Sequence, residues 1–225
     1  RVARMTPEAV LFDYGGVFTE SPFAAARRAF ERLGIDPVQG HEWIFGSYEV
    51  DTAHPWHRLE RGETSAQAAR DEIMATAAAA GVELDPWVVL AELAGGETRA
   101  WMTDVLVAVH AAGVTTAIVT NNLVEFADHW KAGLPMDAVD VIVDSSAEGV
   151  RKPNPAIYRL ALQRVGVKDP QSAVFVDDAP SNVAAARALG LVGLDVPHDI
   201  IGARACAVTL CGLLGLEPPP SLSDG

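Results

Sequence analysis

Ala9-Val10-Leu11-Phe12-Asp13-Tyr14-Gly15-Gly16-Val17 is an apolar run that ends in an acid and then in two glycines. Four apolar residues in a row, bounded by glycine, read as a short strand buried on both faces. Two later runs share this form. Ala117-Ile118-Val119-Thr120 gives way to Asn121-Asn122, and Val174-Phe175-Val176 gives way to Asp177-Asp178. Further strands are expected over 139–143 and 191–194. Helices are expected between them, over 97–112, 124–132, 154–165, 180–189 and 199–214, with Pro155 near the first turn of its helix. Strands alternating with helices imply a parallel sheet covered on both faces. Ligands of such sheets bind at the carboxyl ends of the strands. Asp13, Thr120 and Asp177-Asp178 all fall at such ends.

Between the first strand and this alternating half lies a stretch with no strand pattern. Ala24 to Leu33 stops at Gly34, Ser65 to Ala80 stops at Gly81, and Asp85-Pro86 opens a run from Trp87 to Leu93. The expected fold is therefore an α/β Rossmann-like parallel sheet flanked by helices, with an inserted α-helical cap. The core would comprise residues 1–20 and 97–225, and the cap residues 21–96. Trp43, Phe45, Trp56 and Trp87 are expected in the core of the cap.

The order and strand context of Asp13, Thr120, the Arg151-Lys152-Pro153 string and Asp177-Asp178 resemble those of the haloacid dehalogenase-like superfamily. Most of its members are magnesium-dependent phosphohydrolases. The resemblance implies catalytic roles for Asp13, Lys152 and Thr120. Asp13 would be a nucleophile that forms an aspartyl-phosphate, splitting one hard displacement into two easier ones. Thr120 and the Asn121 backbone N–H would bind phosphoryl oxygens. Lys152 would hold the nucleophile and the phosphoryl group, offsetting charge that builds on the transferred group. Gly16 would let backbone N–H groups approach the phosphate. Asp13, the Gly15 carbonyl and Asp178 would hold Mg2+, with Asp177 and Asn182 behind them. Adjacent acids at a buried strand end call for a cation in any case, and Mg2+ favours such oxygen donors.

At Gly15 the chain departs from the superfamily. Its phosphatases usually carry a second aspartate there, which protonates the leaving oxygen and later activates water. That help is worth ~10²–10⁴-fold. Leaving groups that need little protonation, such as those of aryl, acyl or anomeric sugar phosphates, should suffer least. His54, His57 and Glu60 in the insert are the candidate substitutes, though each taken singly reads better as an ordinary surface group. The expected reaction is hydrolysis of a small phosphorylated metabolite, with a sugar phosphate as the first guess. The alternatives are a metal-independent 2-haloacid dehalogenase, for which the Asp177-Asp178 pair makes little sense, and a catalytically weak or inactive binding protein.

The formal net charge of −13 argues against nucleic acid as a partner. It also requires any phosphate site to rely on a local cation rather than the global field. No apolar run approaches the ~20 residues that span a bilayer, and no signal-peptide pattern precedes the first strand. Cys206 and Cys211 read as two buried, reduced thiols in a helix, which together with the missing signal favours the cytoplasm. A monomer or homodimer is expected.

Overall fold

The computed structural model describes residues 7–93, 98–127 and 130–222. Five parallel strands form one sheet: β1 (Ala9–Phe12), β2 (Thr115–Thr120), β3 (Val141–Asp144), β4 (Ala173–Asp177) and β5 (Val192–Asp195). Their order is β3-β2-β1-β4-β5, with Leu11 level with Ala117 on one side and Phe175 on the other. The chain runs outward from β1 through β2 to β3, then returns to the far side of β1 for β4. The switch point thus lies between β1 and β4, and the tips of these two strands carry Asp13 and Asp177-Asp178.

The continuous apolar runs serve two cores. Val10 and Phe12 of β1 face α6 (Ala100–Ala111) and α10 (Ile200–Leu214), where Met102, Val105, Val109, Ala207 and Leu210 are buried. Ala9 and Leu11 face the opposite way, toward Ile157, Tyr158 and Ala161 of α8 (Pro155–Arg164) and Val183 and Ala186 of α9 (Pro180–Ala188). Cys206 and Cys211 are free and buried on α10.

Between β1 and α6 come α1 (Pro22–Leu33), α2 (Pro37–Phe45), α3 (Pro55–Glu60), α4 (Ala66–Ala79) and α5 (Pro86–Leu93). The proline that opens α1, α2, α3 and α5 has no N–H to lose at a helix start, and its φ already suits one. Asp36 and Ser65 accept hydrogen bonds from the first N–H groups of α2 and α4. Phe30, Ile44, Phe45, Trp56, Leu59 and Ile73 build a third apolar cluster that Leu123 joins from the sheet half. The two ends of this insert are fastened together: Thr19 and Thr98 form an antiparallel bridge, and Arg99 N donates to Phe18 O at 2.6 Å. The boundary expected at 96/97 falls outside the described residues.

The helix expected over 124–132 does not form. Val124–Phe126 and Trp130–Gly133 are separate 3₁₀ turns, with residues 128–129 outside the described set. Leu123 packs into the cluster of the insert while Trp130 packs into the core beneath α6. Seven residues apart, the two would share one face of a straight helix, yet they pack into different cores. A short α7 (Ser145–Glu148) follows β3 directly. Among the described residues no helix is long and apolar enough to cross a membrane.

Candidate active site

The tips of β1 and β4 bring three carboxylates together. One oxygen each from Asp13, Asp177 and Asp178 lies within 4.8 Å of the others. Lys152, on the loop before α8, reaches between two of them. Its Nζ stands 2.8 Å from Asp13 Oδ1 and 2.7 Å from Asp177 Oδ2, and its side chain is 1% exposed. The Lys152–Pro153 peptide is cis. Asn121 at the end of β2 fixes this loop, accepting from Lys152 N at 2.8 Å and donating to Lys152 O at 3.0 Å.

Each carboxylate has a different set of partners. Asp13 Oδ1 accepts from Tyr14 N–H at 2.7 Å as well as from Lys152, and no described residue bonds Oδ2. Both oxygens of Asp177 are engaged, by Lys152, by Ala179 N at 2.8 Å and by Asn182 Nδ2 at 3.1 and 3.2 Å. Asp178 Oδ2 accepts from Ser21 Oγ at 2.5 Å, which ties the start of the insert to the sheet.

Fully ionised, three carboxylates and one ammonium would carry two negative charges. Burial pushes Asp13 up to about 7, against the pull of Lys152, and the charge of Asp177 pushes the same way. Burial also holds Asp178 well above its ordinary value, with Asp177 and Asp13 adding to the effect. For Lys152, burial opposes the charge, but Asp13 and Asp177 outweigh it and raise the ammonium. A divalent cation would bring the set to neutrality, and all-oxygen donors suit Mg2+. The Oδ1 of Asn182 is buried without a hydrogen-bond partner beside this cluster, as a group facing hydrated metal would be. The residues present therefore fit the ion.

Asp13, Gly15, Thr120, Asn121, Lys152, Asp178 and Asn182 all line one cavity of about 490 Å³. Asp177 lies beneath it, fully buried. Gly16 is not among the lining residues. It has φ +72°, and a Cβ there would stand 2.0 Å from Asp178 Oδ2, so the position needs glycine for its close approach to that acid. Its carbonyl accepts a hydrogen bond from the buried Arg99 guanidinium.

None of the three proposed substitutes for the absent acid is poised as a proton donor. The His57 ring is buried, Thr52 N–H donates to its Nδ1 at 2.9 Å, and burial pushes its pKa down to about 3. His54 Nδ1 accepts from Trp56 N and caps α3, with burial lowering its pKa. Glu60 does line the cavity, but Trp56 Nε1 holds Oε1 at 2.9 Å and Arg151 Nε holds Oε2 at 2.6 Å. Arg151 is itself fully buried, so this pair is a structural joint between the insert and the sheet. Ser145 Oγ adds to it, donating to Glu60 O at 2.6 Å. Phe45 and Trp56 sit in the core of the insert as expected, and each also lines the cavity. Tyr48, which the sequence did not single out, lines it too.

Residues 7–190 match the family model described as haloacid dehalogenase-like hydrolase. Acyl-CoA dehydrogenase family member 10 of Mus musculus is 32% identical over 86% of this chain, which spans only 18% of that protein. Sesquiterpene phosphatase astK of Aspergillus oryzae is 27% identical over 87% of this chain and 92% of its own length. Hexitol phosphatase A of Escherichia coli is 28% identical over 84% and 83%. A HAD-family enzyme of Bacteroides thetaiotaomicron, crystallised with magnesium and inorganic phosphate, superposes with a TM-score of 0.58 over 84% of this chain and 93% of its own. At 19% identity that likeness speaks to the fold alone.

Proposed function

We propose that this chain, which belongs to the haloacid dehalogenase-like hydrolases, is a Mg2+-dependent phosphomonoesterase that works through an aspartyl-phosphate on Asp13. The observation that carries this reading is the cluster of three carboxylates around one lysine at the floor of the cavity. A metal-independent dehalogenase would gain nothing from Asp178, an acid whose charge is opposed by burial and by two neighbouring carboxylates. Two of the relatives named above are phosphatases, which supports the same reading.

Asp13 Oδ2 attacks phosphorus from below while Tyr14 N–H and Lys152 hold Oδ1. The bond from phosphorus to the ester oxygen breaks, and that oxygen leaves with the electron pair as an alkoxide or aryloxide that takes its proton from water in the cavity. Water then attacks the phosphorus of the aspartyl-phosphate, and the Asp13 carboxylate departs with its electron pair to begin the next cycle. Lys152 lies against the nucleophile throughout and supplies fixed positive charge where the equatorial oxygens gain negative charge. The Thr120 hydroxyl binds one of those oxygens. Asp177 acts through Lys152, keeping it charged and aimed. Asp13 and Asp178, with the Gly15 carbonyl, would hold Mg2+, which when bound would neutralise charge on the phosphoryl oxygens. The helices of residues 21–96 act as the cap that excludes water and contacts the leaving group.

The test is phosphate release from an aryl phosphate with Mg2+ and with EDTA. Release that needs the metal supports the assignment, and release unaffected by EDTA overturns the metal site.

A further inference from the structure

The cavity has two unlike ends. Its floor is polar, formed by Asp13, Thr120 and Asp178 at the strand tips and by Lys152 on the loop before α8. Its walls are not. Phe23, Phe45, Tyr48 and Trp56 come from the insert, and Leu123 and Trp130 from the sheet half. Phe23 meets Tyr48 edge-on with ring centroids 4.7 Å apart, and Phe45 meets Trp56 at 5.0 Å, so the aromatic surface is continuous along the insert. About 490 Å³ lies within the ~300–1,000 Å³ range of sites that enclose small organic ligands.

Several polar groups on these walls are already engaged. The Asn121 side chain is hydrogen-bonded at both ends to the Lys152 backbone. Asn122 Nδ2 donates to Asp144 at 2.7 Å, and its backbone N–H to Ser145 Oγ at 2.9 Å. The two oxygens of Glu60 are held by Trp56 and Arg151. Among the described lining side chains, the hydroxyls of Tyr14, Tyr48 and Thr98 and the Oδ1 of Asn122 remain for a ligand, while Trp130 Nε1 and Asn182 Oδ1 lack a partner but are buried from solvent. They are too few for a hexose or a hexitol, and each buried hydroxyl left without a partner weakens binding by about 5- to 150-fold.

We infer that the phosphoester this site accepts carries an apolar leaving group, an alkyl or aryl alcohol, rather than a polyol. The inference rests on the phosphatase reading for the polar floor and departs from the sugar phosphate expected from the sequence. The phosphate sits on Asp13 and Lys152, and the hydrocarbon lies between the insert and the Leu123–Trp130 side. Specificity then follows from water removed from apolar surface, with a contribution from each methylene until the cavity is full.

Binding of phosphonates, which resist hydrolysis, separates this claim from catalysis. Methyl-, butyl- and octylphosphonate and a polyol phosphonate are titrated into the protein with Mg2+ by calorimetry. In parallel, phosphate release is measured from octyl phosphate and glycerol phosphate. The expected result is a Kd that falls about two- to fourfold per methylene, with the polyol no better than methyl. A flat series, or tighter binding of the polyol, overturns the inference. A steep series without phosphate release from any ester supports the apolar site and refutes the phosphatase reading. Metal-dependent release with a flat series does the reverse.

Discussion

Replacing Gly15 by aspartate would restore the acid–base group that the site lacks, and the backbone there leaves room for a Cβ if Pro22 gives slightly. Gly15 does not have a positive φ, and a Cβ built there meets only Pro22, with Cγ at 3.1 Å and Cδ at 3.6 Å. The proline ring must retreat by a few tenths of an ångström, which should cost ~1 kcal/mol of stability, the low end for overpacking. The kinetic gain depends on the leaving group. An alcohol leaves with a pKa near that of water, ~16, and needs the proton. A phenol leaves with a pKa of ~10 and hardly needs it. Acid–base help spans ~10²–10⁴-fold, which is about 3–5 kcal/mol at ~1.36 kcal/mol per tenfold. A residue placed by engineering should reach the lower end. The assay is kcat/KM for Gly15→Asp and wild type across phosphate esters whose leaving groups run from nitrophenol to alkyl alcohol. Alkyl esters should gain ~10²-fold and the nitrophenyl ester less than ~threefold, flattening the dependence on leaving-group pKa. An equal change across the series, in a folded variant that still binds Mg2+, would refute the reasoning.

Other perturbations separate the parts of the site. Lys152→Met should lower kcat by at least ~10²-fold, the usual effect of losing one group that stabilises transition-state charge; near-normal turnover would remove Lys152 from the mechanism. Glu60→Ala leaves the buried Arg151 charge uncompensated except by Asp51 at 3.8 Å. It should therefore cost about 3 kcal/mol in urea unfolding, and a loss below ~1 kcal/mol would contradict the joint assigned to this pair. The metal-free protein should lose stability as pH rises from 4 to 7. The folded state keeps the Asp13 proton to about pH 7, whereas the unfolded chain releases it near 3.8. Some three pKa units correspond to ~4 kcal/mol lost across that window, with Asp178 acting in the same direction. Thermal melts with and without Mg2+ would show it: the metal should flatten the pH dependence, and a metal-free Tm that rises over the window would contradict the charge assignment.

The sheet was legible because its signals are local. A strand buried on both faces must be apolar throughout, and the groups that end it at the ligand edge must be polar, so Asp13, Thr120 and Asp177-Asp178 mark themselves. Prolines at helix starts and glycines after helix ends did the same for α1, α4, α5 and α8. What stayed hidden depends on partners far away in the chain. The requirement for glycine at Gly16 comes from Asp178. The burial of Arg151 comes from Glu60, 91 residues earlier. Nothing near Asn121 or Asn122 in the sequence says that their amides are bonded to Lys152 and Asp144. The apolar character of the cavity was therefore out of reach, because it follows as much from which polar groups are engaged as from which aromatic ones are present. The broken segment at 124–132 failed for a related reason: its helical pattern was real, but Leu123 and Trp130 are claimed by different cores.

The central claim is a phosphoryl group carried covalently on Asp13. An aryl phosphate is the substrate with which to catch it. Its first step needs no proton donor, whereas the second still needs an activated water, which Gly15 cannot help to supply. Enzyme mixed with radiolabelled aryl phosphate and Mg2+ and quenched in acid should show a burst of phenol close to one per site. The label should be found on the peptide that contains Asp13 and be absent from Asp13→Asn. Label on another residue, or turnover that persists in Asp13→Asn, would contradict the account.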